Sequence, residues 1–212
     1  MPAYRLCYFN FRGRAEPARF LFHLAGVPYE DVRWELADWA KIKNETPWGQ
    51  GPVLEVDGKP LAQAPAINQY LAKLFGYNGK NDWEGAQIQE LQGALDDVIN
   101  EMKTPFMTKD EEEKERLLQQ FISDKVEPFY SRLVKRLTEN GNRHFVGDGL
   151  TIADIALYVW IEGVDEGVIP GVLAKFPVLE EFVKRTASLP KMREWIEKRP
   201  DCPFSIVSKK KQ

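Results

Sequence analysis

A tyrosine near the start of the chain is the first residue whose position suggests chemistry. Tyr8 ends a short apolar segment, and the loop Asn10-Phe11-Arg12-Gly13-Arg14 separates it from a helix predicted from Ala15 to Ala25. A phenol placed there can donate a hydrogen bond to a ligand atom near the positive end of a helix. Since a thiol titrates near pH 8.5, a donating phenol with Arg14 beside it would favour the thiolate. The position fits equally well a core tyrosine whose hydroxyl is already bonded.

Few other side chains are candidates for nucleophilic or metal chemistry. The chain contains two cysteines, Cys7 and Cys202, and two histidines, His23 and His144. These cannot form a disulfide framework or a Cys/His metal cluster, so we expect a reducing environment and no metal. Cys7 adjoins Tyr8 in a strand, and alternation sends it to the opposite face, which favours a buried structural thiol.

The composition is that of an ordinary globular protein. Of 212 residues, 43% are hydrophobic and 29% are charged, a balance that argues against disorder. The net charge of −3 gives no basic field that would attract nucleic acid. No stretch approaches the roughly 18 apolar residues of a membrane span, and the start lacks an apolar secretory region. We therefore expect a cytoplasmic protein without nucleic-acid or membrane partners.

The elements that must position Tyr8 form a small mixed α/β sheet in residues 1–76. The predicted order is βαβ, a long polar loop, a ββ hairpin and a helix. Asp57-Gly58 between two apolar runs is the strongest hairpin signal. The predicted strands are Tyr4–Tyr8, Tyr29–Trp34, Pro52–Val56 and Lys59–Ala62, and the last predicted helix is Pro65–Phe75.

The rest of the chain is patterned almost entirely at the helical period. Residues 77–82 are rich in glycine and asparagine and form the predicted linker, 83–204 the helical domain, and 205–212 a basic tail. The pattern from Lys109 to Leu137 predicts a long helix that begins in a charged run. Thr151 and Asp154 have the spacing of a capping box, which predicts a helix start there.

Four blocks of residues also stand in an order typical of one family. They are Tyr8-Phe9-Asn10 with Arg12-Gly13-Arg14-Ala15-Glu16, Trp48 to Leu54, Gln63 to Ile67, and Thr151 to Asp154. With these blocks the chain resembles the cytosolic glutathione S-transferases, specifically the sigma class. The resemblance implies a thioredoxin-like domain followed by an all-α domain, a homodimer, and glutathione as co-substrate for conjugation to apolar electrophiles in detoxification.

The resemblance further implies which residues hold glutathione. Tyr8 and Arg14 would stabilise its thiolate. Three residues of the polar loop would meet its glycine carboxylate or lie beside it: Trp39, Lys43 and Gln50. The remaining contacts would come from Gly51 ahead of a cis Pro52, from Gln63 and position 64 at the γ-glutamyl end, and from Asp97 of the partner subunit.

Three positions depart from the family pattern. Ala64 stands where the family places a serine that caps the next helix and bonds the γ-glutamyl carboxylate. Losing such a cap costs about 0.5 to 2 kcal/mol, and losing a hydrogen bond to a charged group about 1.5 to 3 kcal/mol. Gln69 and Gly51 replace a common arginine and a usual branched apolar residue. The departures predict weaker glutathione binding and leave the fold intact.

The resemblance also predicts a pocket for the second substrate between Tyr8 and the helical domain. Its predicted lining is aromatic apart from one arginine and suits apolar electrophiles: Phe9, Arg12, Phe106, Trp160 and Phe204. Two other functions remain open at this point. One is a ligand-binding or structural protein of the same fold, as lens crystallins are, with weakened glutathione binding. The other is a glutathione-dependent prostaglandin isomerase.

Overall fold

The fold is described from a computed structural model for residues 2–205. The basic run Lys209 to Lys211, which the sequence predicts as a tail, lies outside the described residues. Within the described range, no helix is both long enough and apolar enough to cross a membrane.

A four-stranded mixed sheet forms the first part of the chain. Its strands are β1 (Tyr4–Phe9), β2 (Glu30–Trp34), β3 (Val53–Val56) and β4 (Lys59–Ala62), in the order β2-β1-β3-β4. Strand β1 is parallel to β2 and antiparallel to β3, and β3 is antiparallel to β4. The hairpin prediction is confirmed, because Asp57 and Gly58 both have positive φ, at 50° and 76°, as a type I′ turn requires.

Ten α-helices are found within the described residues, three of them in the first part. Those are α1 (Glu16–Ala25), the short α2 (Trp39–Ile42) in the predicted polar loop, and α3 (Ala64–Phe75). The others are α4 (Asp82–Glu101), α5 (Lys103–Met107), α6 (Glu111–Phe121), α7 (Glu127–Glu139), α8 (Ile152–Gly167), α9 (Pro177–Ser188) and α10 (Pro190–Lys198).

The predicted long helix is interrupted by one wider turn. Helices α6 and α7 are continuous through a π-helical turn, Ile122–Val126. Pro128 follows at the start of α7 and has no N–H to offer the preceding turn, which explains why regular α-helical bonding stops there.

Helix α8 is the centre of the helical part. Nearly every residue from Ile152 to Ile161 is buried, as expected of a helix that is apolar on all sides. The predicted helix start is confirmed. The Asp154 carboxylate accepts hydrogen bonds from the Thr151 N–H at 2.8 Å, from the Thr151 hydroxyl at 2.9 Å and from the Phe145 N–H at 2.8 Å.

Helix α1 joins the sheet to the helical part. It packs against α3 on one side and against α8 and α10 on the other. Its buried Glu16 pairs with Arg19 at 3.1 Å and accepts a hydrogen bond from the Trp195 indole of α10 at 2.9 Å. The loop that follows Tyr8 leads into α1. The packing of α1 therefore fixes the position of this loop relative to both halves of the chain.

Candidate functional site

Tyr8 lies near the carboxyl end of β1 and lines a cavity between the two halves of the chain. Its side chain is buried, and the Arg14 backbone N–H donates to its hydroxyl oxygen over 3.4 Å. Gly13 has a φ of 44°, and a Cβ there would lie 2.9 Å from the Tyr8 hydroxyl. The loop therefore needs glycine at position 13 for both its backbone conformation and its closeness to Tyr8.

Burial raises the pKa of two neighbouring side chains of β1, Tyr8 and Cys7. It raises the pKa of Tyr8 above the usual 10, although the Arg14 N–H and the charges of Arg14 and Arg19 oppose the shift. Tyr8 is therefore a neutral phenol, able to donate, across the physiological pH range. Burial also raises the pKa of the Cys7 thiol to about 11. As predicted, Cys7 is buried with Val53 and Ala62, on the other face of the sheet from Tyr8.

The Arg14 side chain is held on α4. Its guanidinium lies 2.5 Å from the Asp96 carboxylate and 3.1 Å from the Asn100 amide oxygen. Asp97, which the sequence analysis singled out, is exposed and does not line the cavity. Within this chain, Asp96 is thus the acidic residue that faces the site.

The cavity has a volume of about 260 Å³ and is mostly apolar. It lies between the loop around Arg14, the first turns of α3, the inner faces of α4 and α8, and the end of the described chain. Its lining residues include Tyr8, Phe11, Arg14, Ala64, Pro65, Asn68, Gln92, Leu95, Asp96, Ile99, Met102, Val159, Trp160 and Phe204.

Of the five residues predicted to line a second-substrate pocket, the structure places Trp160 and Phe204 at this cavity. Phe9 does not line it, because Phe9 projects toward Trp39, 4.9 Å away between ring centroids, and it is Phe11 that reaches the cavity. Phe106 lies on α5 against the core, and the neighbouring Met102 takes its place in the lining.

Arg12 also lies outside this cavity, since its side chain is committed to α8. The buried guanidinium pairs with Glu162 at 2.9 Å and with Glu166 at 2.6 Å. The backbone N–H groups of Arg12 and Gly13 donate to the carbonyls of Pro203 at 3.0 Å and Phe204 at 2.7 Å. The end of the described chain is therefore bonded directly to the loop that follows Tyr8.

Two residues predicted to hold the peptide flank the β3–β4 hairpin, since Gln50 precedes β3 and Gln63 follows β4. The Gln63 amide donates to the Gln50 amide oxygen over 3.4 Å, and both side chains are exposed. The Lys43 side chain passes next to Gly49, and a Cβ at Gly49 would lie 3.3 Å from it. Trp39 lies against Trp34, at 5.5 Å between ring centroids.

The start of α3 differs in detail from the prediction. Helix α3 begins at Ala64, so the N-cap is Gln63 and not Ala64. Gln63 has a φ of 73°, an uncommon backbone conformation for a residue with a side chain, and such strain clusters at functional sites. Ala64 and Pro65 then occupy the first helical turn and line the cavity. Since proline has no N–H, the Ala64 N–H is the backbone donor that these two residues could offer an anion.

The close packing of Trp34 explains why position 51 is a glycine. A Cβ at Gly51 would lie 2.7 Å from the Trp34 ring and 3.1 Å from the Tyr8 ring, so the indole already fills the space of a side chain. The Gly51–Pro52 peptide bond is cis, as predicted.

Sequence reasoning missed Gly13, Asn68, Gln92 and Asp96. The sequence did contain a signal for Gln92 and Asp96. Both fall on the inner stripe of α4, together with the apolar residues Ile88, Leu95 and Ile99. A polar residue on an apolar helical stripe is informative for this reason. Within residues 2–205, no group of three or more His, Cys, Asp or Glu side chains could hold a metal ion.

Comparison with family models identifies both halves of the chain. Residues 5–73 match the model described as the glutathione S-transferase N-terminal domain, and residues 96–199 match that of the C-terminal domain.

Individual proteins are similar over nearly their full length. The chain is 36% identical to glutathione S-transferase 1 of Ascaris suum, covering 96% of this chain and 100% of that protein. It is 37% identical to hematopoietic prostaglandin D synthase of Gallus gallus, covering 94% and 98%. The crystal structure of the glutathione S-transferase from Ascaris lumbricoides superposes with a TM-score of 0.88 at 34% identity, covering 96% and 100%.

Proposed function

The chain belongs to the glutathione S-transferase family, and on that premise we propose that Tyr8 donates a hydrogen bond to the glutathione sulfur and stabilises its thiolate. The observation that carries this proposal is the buried, neutral Tyr8 side chain, which lines the cavity with its hydroxyl beside the Arg14 N–H. A thiol with a pKa near 8.5 is only a few per cent ionised at pH 7. A hydrogen-bond donor to the thiolate therefore increases the fraction of glutathione present as the nucleophile.

In this proposal Arg14 also stabilises the negative charge of the thiolate. Its guanidinium is held by Asp96 and Asn100, so its position is set before any ligand binds. Arg14 lines the cavity together with Tyr8, and its positive charge favours an anion there.

Residues around the β3–β4 hairpin and in the loop before it supply the contacts for the peptide in this proposal. We assign the glycine carboxylate to Lys43 and Trp39 with Gln50 beside them, and main-chain pairing with the cysteinyl unit to Gly51 ahead of Pro52. Gln63 and the first N–H groups of α3, from Ala64 onward, would hold the γ-glutamyl carboxylate. Charged and main-chain contacts at opposite ends suit an extended, anionic tripeptide.

The apolar cavity takes the second substrate, an apolar electrophile whose conjugation is of the detoxification type. Leu95, Ile99 and Val159 offer it a dry surface, and Trp160 and Phe204 close one side. An electrophile bound there would have its reacting carbon close to the sulfur that Tyr8 holds.

We further propose a sigma-like homodimer in the cytoplasm. Asp97 is exposed on α4 and would reach the γ-glutamyl amino group of glutathione in the partner subunit. A molar mass near that of two chains by light scattering is expected, and a monomer at micromolar concentration would contradict it.

A specific observation keeps a ligand-binding or structural role as the second candidate. Ala64 has no hydroxyl to offer at the start of α3, where it lines the cavity. Weak glutathione binding would leave the apolar cavity without its co-substrate.

The experiment that separates the two candidates is the initial rate of conjugation of 1-chloro-2,4-dinitrobenzene against rising glutathione concentration. Saturable turnover above the uncatalysed rate supports the transferase. A rate equal to the uncatalysed background at high glutathione would contradict it and favour the ligand-binding role.

A further inference from the structure

Arg12 is a buried arginine in the loop between Tyr8 and α1, and it lies outside the cavity that Tyr8 lines. Its two terminal nitrogens donate to two carboxylates of α8, to Glu162 at 2.9 Å and to Glu166 at 2.6 Å. These glutamates are four residues apart and therefore share one face of the helix. Because a charged side chain is costly to bury unless it is paired, these ion pairs bind the loop to that face of α8.

Glu162 extends this contact into a chain of ion pairs that reaches α1. It also pairs with Arg199, just after α10, at 2.8 Å, and Arg199 lies 3.5 Å from Glu16. Glu16 pairs with Arg19 at 3.1 Å, and both are almost completely buried. Desolvation offsets much of the attraction in buried ion pairs, so they contribute little net stability. The guanidinium groups do, however, fix the geometry of the groups that they bond.

The backbone of the loop is bonded on both sides of Arg12. The Arg19 guanidinium donates to the carbonyl oxygen of Arg12 at 3.4 Å and to that of the residue before it at 3.1 Å. The N–H groups of Arg12 and Gly13 donate to carbonyls at the end of the described chain. The next N–H, that of Arg14, donates to the Tyr8 hydroxyl at 3.4 Å. The position of this N–H therefore depends on how the loop is held at Arg12.

The hydrogen bond from the Arg14 N–H affects what the phenol can do. An oxygen that accepts a hydrogen bond donates its own proton more strongly, because hydrogen bonds in series polarise one another. Burial raises the pKa of Tyr8, and the Arg14 N–H is the largest contribution that opposes the rise. At 3.4 Å the bond is already long, so a small displacement of the loop would lose it.

We propose that Arg12 is a positioning residue for the transferase reaction. Through its ion pairs to α8, it holds the Arg14 N–H against the Tyr8 hydroxyl. This inference rests on the proposed function, because that hydroxyl is the group that stabilises the glutathione thiolate. Without Arg12 the loop loses its attachment to α8, and Tyr8 donates a weaker hydrogen bond to the sulfur. The pKa of the bound thiol then rises.

Arg12→Met removes the ion pairs and keeps a long side chain. The measurement is the ultraviolet absorbance of the bound thiolate against pH, together with kcat and KM for glutathione over the same range. We expect the pKa of the bound thiol to rise by roughly 0.5 to 1, the effect of one weakened hydrogen bond. Below that pKa, kcat falls about three- to tenfold, and above it kcat approaches wild type, because the thiol is then ionised in both proteins. The KM for glutathione stays within about twofold, since the contacts to the peptide remain.

Arg136→Met is the matched control for the loss of a structural arginine. Arg136 donates to the Phe145 carbonyl at 3.4 Å and lies 3.5 Å from Glu90, and it does not line the Tyr8 cavity. It is expected to lower the Tm and to leave the pKa of the bound thiol unchanged. An Arg12→Met variant that behaves in the same way, with a lower Tm and the wild-type thiol pKa, would overturn the proposal.

A double-mutant cycle separates positioning from the charge of Arg12. If Arg12 acts through Tyr8, Arg12→Met in the Tyr8→Phe background leaves the thiol pKa where Tyr8→Phe alone puts it. A further rise in that background would mean that the Arg12 charge acts on the thiolate by itself, which also overturns the proposal.

Two remaining outcomes are distinguishable from these. If Arg12→Met does not fold, Arg12→Lys replaces it, because lysine keeps the charge but lacks the fork that reaches two carboxylates. Arg12→Lys is expected to raise the thiol pKa as well, and an unchanged pKa in that variant would overturn the proposal. A wild-type protein whose bound thiol titrates like free glutathione, with no turnover of 1-chloro-2,4-dinitrobenzene, would instead overturn the proposed function.

Discussion

The indole of Trp34 occupies the space that a side chain at Gly51 would need. A Cβ at Gly51 would lie 2.7 Å from the ring and 3.1 Å from the ring of Tyr8, closer than such contacts are normally found. The missing branched residue at position 51 is thus compensated by a bulky one at position 34. The backbone at Gly51 therefore packs closely against both Trp34 and Tyr8.

Gly51→Val is expected to destabilise the protein by about 1 to 3 kcal/mol, because the added methyls overpack Trp34 and Tyr8. Thermal unfolding and kcat/KM for 1-chloro-2,4-dinitrobenzene would measure the effect. The double variant Gly51→Val with Trp34→Val should recover part of the loss. Gly149→Ala, where a Cβ would contact nothing within 4 Å, is the matched control. Additive losses in the double variant would show that the two residues are not coupled.

Tyr8→Phe is expected to lower kcat/KM by roughly ten- to a hundredfold, as a hydrogen bond to an anion is worth about 1.5 to 3 kcal/mol. Removing the donor raises the pKa of the bound thiol, so the midpoint of the pH–rate profile should move upward. The raised pKa of Tyr8 itself keeps the phenol protonated, so wild-type activity should not fall between pH 7 and about 9. An unshifted profile with unchanged turnover would remove Tyr8 from the mechanism.

Ala64→Ser is expected to tighten glutathione binding by about 1 kcal/mol or more, because it returns a hydroxyl to the first turn of α3 facing the cavity. Calorimetric titration of glutathione would measure it. Ala66→Ser places the same hydroxyl two residues further on, on an exposed position, and should leave the affinity unchanged. Equal affinities for Ala64→Ser and wild type would mean that the backbone donors already satisfy the carboxylate.

Gly163→Ala should disturb the catalytic loop from a distance. A Cβ at Gly163 would lie 2.1 Å from the Phe204 ring, so the ring must leave its place. The carbonyl of Phe204 accepts the Gly13 N–H, and the loop then loses support next to Tyr8. We expect kcat/KM to fall several-fold, about the effect of one lost hydrogen bond, and Phe204→Ala in the same chain to relieve the clash. A Gly163→Ala variant with wild-type kinetics would contradict the coupling.

Cys7 should not react with thiol reagents in the folded protein. With a pKa of about 11, roughly one thiol in a thousand is ionised at pH 8, and the side chain is 4% exposed. Titration with a chromogenic disulfide should therefore detect no more than one thiol before denaturation and two afterwards. In Cys202→Ser the native count should be zero, and a rapidly reacting thiol in that variant would contradict the burial of Cys7.

The sequence by itself determined the features that depend on local pattern. Alternation predicted the four strands within about one residue, Asp57-Gly58 predicted the hairpin, and Asp154 predicted the start of α8. Alternation also separated Tyr8 from Cys7, because neighbouring side chains of a strand face opposite ways. Such signals lie within a few residues of one another and need no knowledge of packing.

Tertiary structure alone decided how distant residues meet. It brought Arg14 to Asp96, placed the Phe204 carbonyl on Gly13, and filled the space at Gly51 with Trp34. It also gathered Asn68, Gln92 and Trp160 into one cavity wall. These contacts span from 17 to 191 residues, and they depend on which faces of α1, α4 and α8 pack together. Local periodicity identifies an inward face of a helix, but the partner of that face is fixed only when the elements assemble.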